Sequence, residues 1–378
     1  MRSFIHALLL AFLAVPAANA AKTENVVLVL IDGVRWEEIY RGIDPRFLQP
    51  DVRSFFASPA RQEQLRAELW ADDVRRRRER LLPFMWKTVA RHGQLYGNRD
   101  LGSHVDLANP FHFSYPGHSE MLTGIAEPSI RRNVPVDNPN VTLLEYLQGL
   151  PGIRNRVAAF SSWELYPNVI NTKRSGVVVH SPASNFSLPD QPTFDVLRDF
   201  VQLMPRGGHE DLVEYHLTME YLRVARPRFM HIVYSVADRS AHDGRYDEYL
   251  TAIRNADLFL ERLWLWLQAQ PDYAGKTTLL ITTDHGRGAT SLEGFKYHGT
   301  PDYYGLDATA PDITEGDQFA WLAALGPDTA PLGEIHGGAA ITLSQVAATA
   351  AELLKVRFRQ ELGEDRIAPP VTSVYEPK

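Results

Sequence analysis

"ENVVLVLIDG", residues Glu24 to Gly33, sets the reading of the whole chain. Apolar side chains run unbroken from Val26 to Ile31 and stop on Asp32-Gly33. A strand wetted on one face would alternate, so an unbroken run of this length reads as a strand covered on both faces. "RFMHIVYSVAD" (228–238) and "KTTLLITTDHG" (276–286) have the same form, an apolar run followed by acidic or histidine residues. "RVAAFSSW" (156–163) is a weaker fourth.

Helical patterns separate these runs. "TLLEYLQGL" opens on Thr142 as an N-cap, and 210–223 continues the pattern. "DEYLTAIRNADLFLERLWLWLQAQ" (247–270) repeats apolar residues at three- and four-residue spacing, and a last helix is expected over 342–354. Strands alternating with helices imply an α/β fold with a large central, mostly parallel sheet and helices on both faces. In such sheets ligands sit beyond the carboxyl ends of the strands, so polar groups remote in sequence can meet there. Residues 41–91 interrupt the alternation and read as a helical insertion in a single catalytic domain spanning 21–378. The Pro-containing tail from Glu364 reads as extended.

At 378 residues with 44% hydrophobic and 22% charged residues, the chain has ample core, and a net charge of −7 argues against a nucleic-acid partner. The run Arg75 to Arg78 reads as a solvated helix face. "MRSFIHALLLAFLAVPAANA" (1–20) has a basic start, a short apolar run and a small-residue cleavage site, the pattern of a secretory signal cut after Ala20. No other stretch is long and apolar enough to span a bilayer, so no stable membrane insertion is expected after cleavage. With 0 cysteines an exported chain folds without disulfides, which suits a bacterial periplasmic or secreted protein.

The strand ends supply the chemistry. Asp32 ends one, Asp238 another with His242 four residues on, and Asp284-His285 a third; His336, in "EIHGG", precedes the last helix. Carboxylates and imidazoles are the donors that Zn²⁺, or in second place Mn²⁺, takes where no thiolate is offered. Three Asp and three His suffice for two ions. Singly, each fragment also reads as a turn, a hydrogen-bonded pair or a structural histidine. "FHFSYPGHSEMLTG" (111–124) places Ser114 among aromatics, outside any G-x-S-x-G elbow. A divalent cation beside a serine hydroxyl acidifies it, so no histidine base is required, and two ions suit in-line displacement at phosphorus.

With these motifs the sequence resembles the alkaline phosphatase superfamily, and within it the type I nucleotide pyrophosphatase/phosphodiesterase branch. The residues that carry the likeness are "LVLIDGVRW", "FSYPGHSEMLTG", "ADRSAHDG", "LLITTDHGRG" and "EIHGG", in family order over 26–354. The resemblance implies that Asp32, Ser114, Asp284 and His285 hold one zinc and that Asp238, His242 and His336 hold the other, with Ser114 as nucleophile. It also implies an asparagine on a phosphoryl oxygen, for which Asn133 is the nearest candidate; Asn138 or a structural turn remains open. "SYPGH" has His118 where the sulfatases of the superfamily need Arg, which argues against a sulfatase. Arg287, Lys296 and His298 follow the third strand end and read either as grips for a substrate anion or as solvated loop charges. Trp163 and Tyr166 read either as walls of the pocket or as core packing, with a lean to packing.

The expected activity is an exported two-metal phosphohydrolase acting on a small phosphate ester or anhydride through a phosphoseryl intermediate, with a lean towards diesters. A phosphoryl or phosphoethanolamine transferase, a catalytically silent metal-binding protein and a metal-free hydrolase served by His118 are the alternatives.

Overall fold

Strand β1 (Asn25–Ile31) is buried along its whole length and lies between two parallel neighbours, β6 (Phe229–Tyr234) and β7 (Thr277–Thr282). These are the three apolar runs read from the sequence, side by side at the centre of the sheet. The computed structural model describes residues 23–182, 184, 186–203, 207–306 and 313–375, so the expected signal at 1–20 lies outside them. The remaining strands are β2 (Gln94–Tyr96), β3 (Val105–Asp106), β4 (Val157–Ser161), β5 (Val178–His180), β8 (Phe319–Ala320), β9 (Leu322–Leu325), β10 (Gly333–Glu334) and β11 (Ile341–Thr342). Eight of them form one sheet in the order β10-β2-β9-β7-β1-β6-β4-β5, with β9 alone antiparallel to its neighbours. β11, β3 and β8 form a small second sheet.

Alternation along β1 shows why its apolar run is unbroken. Val27, Val29 and Ile31 enter a core on one face, packed against the helix Tyr246–Ala269. Val26, Leu28 and Leu30 enter a second core on the other face, against the helices Leu143–Gly149 and Gln345–Leu353. Both faces of β1 are covered, so the run does not alternate.

Thr142 caps its helix as read, accepting from Glu145 N at 3.1 Å. The last helix begins at Gln345, later than expected, because Thr342 pairs with Asp106 in β11. Residues 41–91 fold as short helices, among them Pro59–Leu69 and Val74–Leu81. The arginine run is only partly a solvated face: Arg77 is buried and Arg78 turns inward to Glu334 at 2.9 Å, over the Trp86 ring. In the tail, Ile367, Val371 and Val374 are buried, and Thr372–Val374 is a 3₁₀ turn rather than extended chain. Among the described residues no helix is long and apolar enough to cross a membrane.

Candidate active site at the strand ends

The central order β7-β1-β6 brings Asp284, Asp32 and the turn before Asp238 to neighbouring strand ends. β1 passes into Asp32, held by a hydrogen bond from its own N–H to Tyr234 O at 2.9 Å. Gly33 follows at φ 64°, a left-handed conformation that an L side chain adopts only with strain. A Cβ there would stand 2.6 Å from Asp238 Oδ1, and its N–H donates to Asp284 Oδ1 at 3.1 Å. One glycine therefore lets all three carboxylates close up. β6 leads into the helix Val236–His242, which puts Asp238 and His242 one turn apart on one face. Asp211 fixes the start of that helix by accepting from Ser235 N at 2.9 Å and Val236 N at 3.1 Å.

Ser114 is the first residue of the helix Ser114–Thr123 and is buried. Gly117 seats this helix on the end of β7, since a Cβ at Gly117 would lie 2.4 Å from Asp284 O. Buried Glu120 ties the preceding loop to the helix, accepting from Ala108 N and Asn109 N at 2.9 and 2.8 Å.

Three oxygen atoms stand at one distance from the His285 ring. His285 Nε2 stands 3.4 Å from Asp32 Oδ1, 3.4 Å from Asp284 Oδ2 and 3.4 Å from Ser114 Oγ. Ligands about 2.0–2.1 Å from a tetrahedral ion stand roughly 3.3 Å apart, so the spacing fits one cation. Asp32 Oδ1 and Asp284 Oδ2 are buried with no hydrogen-bond partner in the protein, as is Nε2 of His118, 3.4 Å from Asp284 Oδ2. Orphaned acceptors of this kind ask for a cation. The electrostatics agree. Burial works against charge on both imidazoles, yet the carboxylates lift His285 to about 10 and His118 to about 9. Burial together with Asp284 and Asp238 raises the Asp32 carboxyl, the mark of negative charge crowded out of water.

A second group lies alongside. His242 Nε2 is 3.3 Å from Asp238 Oδ2 and 3.0 Å from His298 Nε2, and His298 Nε2 is 3.6 Å from Asp238 Oδ1. His298 stacks on His285 with ring centroids 3.7 Å apart. Nδ1 of His298 donates to His112 O at 2.9 Å and Nδ1 of His285 to Gly286 O at 2.8 Å, leaving both Nε2 atoms aimed inward in the manner of metal-bound imidazoles. Burial, with the His285 charge next, pushes His298 well below its usual range, so it is a neutral donor. Asp238 is held well below the carboxylate range: burial opposes this, but His242 and Arg287 outweigh it.

The expected residues fall into two sets. Asp32, Ser114, Asp238, His242, Asp284 and His285 come together. His336 does not: it is exposed just after β10, at the sheet edge. β10 is three positions from β7, roughly 14 Å at the usual strand spacing. His298, read as a substrate grip or a solvated loop charge, lies beside Asp238 and His242 instead. Arg287 is buried against Asp238, with its outer nitrogen on Lys296 O at 2.8 Å, so it braces a carboxylate. Lys296 turns away to Glu293 at 2.8 Å. Asn133 accepts from Tyr115 N at 2.8 Å through Oδ1, which points its Nδ2 at Ser114 Oγ, 3.5 Å away. Asn138 is buried in a turn on Ser119 Oγ and Val169 O, at 3.1 and 3.2 Å. His118 had a legible signal in its position four residues after Ser114, on the same helix face.

A cleft of about 380 Å³ opens beside Ser114, lined by Phe113, Asn133, His242, Tyr297, His298, Tyr303 and Tyr304. Its walls are mostly aromatic, and none of these seven residues is Lys or Arg.

The fold is similar to that of solved alkaline phosphatases and phosphonate monoester hydrolases. The wild-type alkaline phosphatase PafA matches with a TM-score of 0.58 at 10% identity, covering 94% of this chain and 99% of that one. The phosphonate monoester hydrolase of Agrobacterium radiobacter matches at 0.53 and 12% identity, covering 94% and 78%. SpPMH from Silicibacter pomeroyi, also a phosphonate monoester hydrolase, matches at 0.56 and 10%, covering 93% and 76%. At these identities the likeness is one of fold. No protein-family model and no curated protein matches the sequence.

Proposed function

We propose that the chain is a metal-dependent hydrolase of phosphoric esters or anhydrides, with Ser114 as nucleophile. The observation that carries this is Ser114 Oγ, at a helix start, spaced from His285 as a fellow ligand and faced by the Asn133 amide. Asp32, Asp284 and His285 would hold one ion and Asp238, His242 and His298 a second; the all-O/N donor set suits Zn²⁺ first and Mn²⁺ second. Such ions lower the pKa of a neighbouring hydroxyl and neutralise phosphoryl oxygens. Ser114 Oγ attacks phosphorus as the P–O bond to the leaving group breaks, and the departing oxygen takes up a proton. Asn133 Nδ2 donates to a non-bridging phosphoryl oxygen, and water then cleaves the phosphoserine, releasing phosphate or its ester. The helix N-terminus at Ser114 adds partial positive charge where the phosphoryl oxygens gather.

The cleft favours a diester over a monoester. Its lining offers aromatic surface and one amide but no Lys or Arg for the extra charge of a monoester. Export belongs to the same reading, and a mature N-terminus at Ala21 is the expected mass-spectrometric result.

The test is an acid quench of metal-loaded protein turning over an aryl phosphodiester. Phosphate on Ser114 is the predicted result, with Ser114→Ala lowering kcat roughly 10³-fold or more while metal content holds. Strong chelator abolishes turnover and re-addition of Zn²⁺ restores it. Equal rates in wild type and Ser114→Ala would remove the nucleophile from the account.

A further inference from the structure

Behind the first ligand group runs a line of buried side chains that the reaction above does not use. His231, in the centre of β6, has Nδ1 3.0 Å from Leu28 O on β1. Its Nε2 bonds the Tyr166 hydroxyl. The same hydroxyl is 3.3 Å from His118 Nδ1, and His118 Nε2 is one of the orphaned atoms beside Asp284 and Asp32. All three side chains are fully buried.

The order of protons along this line follows from its fixed end. A backbone carbonyl only accepts, so His231 Nδ1 carries the proton. Burial holds His231 down to about 3, so its ring is neutral and its Nε2 accepts from Tyr166. The tyrosine, having given its one proton to His231, can only accept from His118. His118 Nδ1 therefore keeps its proton, and Nε2, which faces the carboxylates, is the nitrogen free to exchange its proton for a cation. This is the arrangement seen at His285 and His298, built here from side chains instead of one carbonyl.

We propose that His118 is a further protein ligand of the ion held by Asp32 and Asp284, and that Tyr166 and His231 are positioning residues that fix its tautomer from the Leu28 carbonyl. The inference rests on the metal-dependent reading above and adds a donor and its support to that site. Tyr166 is thus more than core packing, and the histidine in "SYPGH" has a task that arginine could not take.

The test uses the full chain loaded with ¹¹³Cd²⁺ and labelled with ¹⁵N-histidine. A one-bond ¹¹³Cd–¹⁵N coupling to Nε2 of His118, assigned by its loss in His118→Gln, is the expected result. A protonated Nδ1 on the same ring should accompany it. In Tyr166→Phe the affinity for one of the two ions, read by competition with a chromophoric chelator, should fall about 10–100-fold, and the visible spectrum of the Co²⁺ form should change. Coupling at His285 and His298 but none at His118 overturns this inference and leaves the hydrolase reading standing. So does a Tyr166→Phe protein with wild-type affinity and cobalt spectrum. A chain that takes up no ion at all overturns both.

Discussion

At the scale of single residues, the choice between His298 and His336 is the sharpest. Both are followed by glycine in loops beyond the third strand end, and nothing local separates them. The separation is tertiary: Phe113 packs edge-on against the His298 ring at 5.7 Å and His112 O accepts from its Nδ1, whereas His336 faces solvent. His298→Ala should release one ion and lower turnover by two orders of magnitude or more, while His336→Ala should leave metal content and rate within about twofold of wild type. Metal analysis with steady-state rates on both variants checks this, and the reverse pattern would restore His336. Gly33 is the other decisive position. Gly33→Ala should destabilise by about 1 kcal/mol or more from backbone strain alone, and should disturb the Asp238–Arg287 contact besides. Denaturant unfolding measures the first effect and metal affinity the second.

At the scale of elements, the short helix Val236–His242 depends on Asp211 from the helix Glu210–Ala225. Asp211 also accepts from Ser162 Oγ at 2.7 Å, tying the end of β4 to the end of β6. Asp211→Ala would leave the N–H of Val236 without its buried acceptor, at about 1–3 kcal/mol, and Ser235 N with Ser162 Oγ alone at 3.1 Å. Weaker binding of the ion at Asp238 and His242 is predicted, with the Asp32–Asp284 ion less affected. Equal loss at both would show general unfolding in place of a local effect. The elements were the most legible level of the sequence. The three apolar runs were found because strands dry on both faces cannot alternate, and their acidic ends met because the strands are adjacent. The arginine run misled because composition is blind to direction: Arg77 and Arg78 use their long stems to reach inward to Arg41 O and Glu334. The place of His298 beside Asp238 was not legible because its loop is positioned by packing on Phe113 and Asp317, remote in sequence.

At the scale of the whole molecule, a buried carboxyl away from the site couples stability to pH. Asp257 accepts from Phe84 N and Met85 N at 2.8 and 3.0 Å, joining the helix Tyr246–Ala269 to the segment around residue 85. Burial, with the nearby Glu261 charge adding to it and the two N–H bonds opposing it, lifts its pKa from 3.8 to about 7. The folded state thus holds this proton more tightly than the unfolded chain. The resulting stability is complete below about pH 4 and is lost as pH rises through about 7, on the order of a few kcal/mol. Asp257→Asn should remove this slope: relative to wild type it should be more destabilising at pH 5 than at pH 8 in chelator-treated protein. Unfolding curves at the two pH values check it, and a difference that grows with pH would contradict it.

All of this converges on cations caged at the ends of β7, β1 and β6. Anomalous diffraction at the zinc edge from metal-loaded crystals tests that claim most directly. The account predicts one peak within bonding distance of Asp32, Asp284, His285 and Ser114 Oγ, and another among Asp238, His242 and His298. No peak at those carboxylates, or one at His336 with Ser114 far from it, would contradict the account.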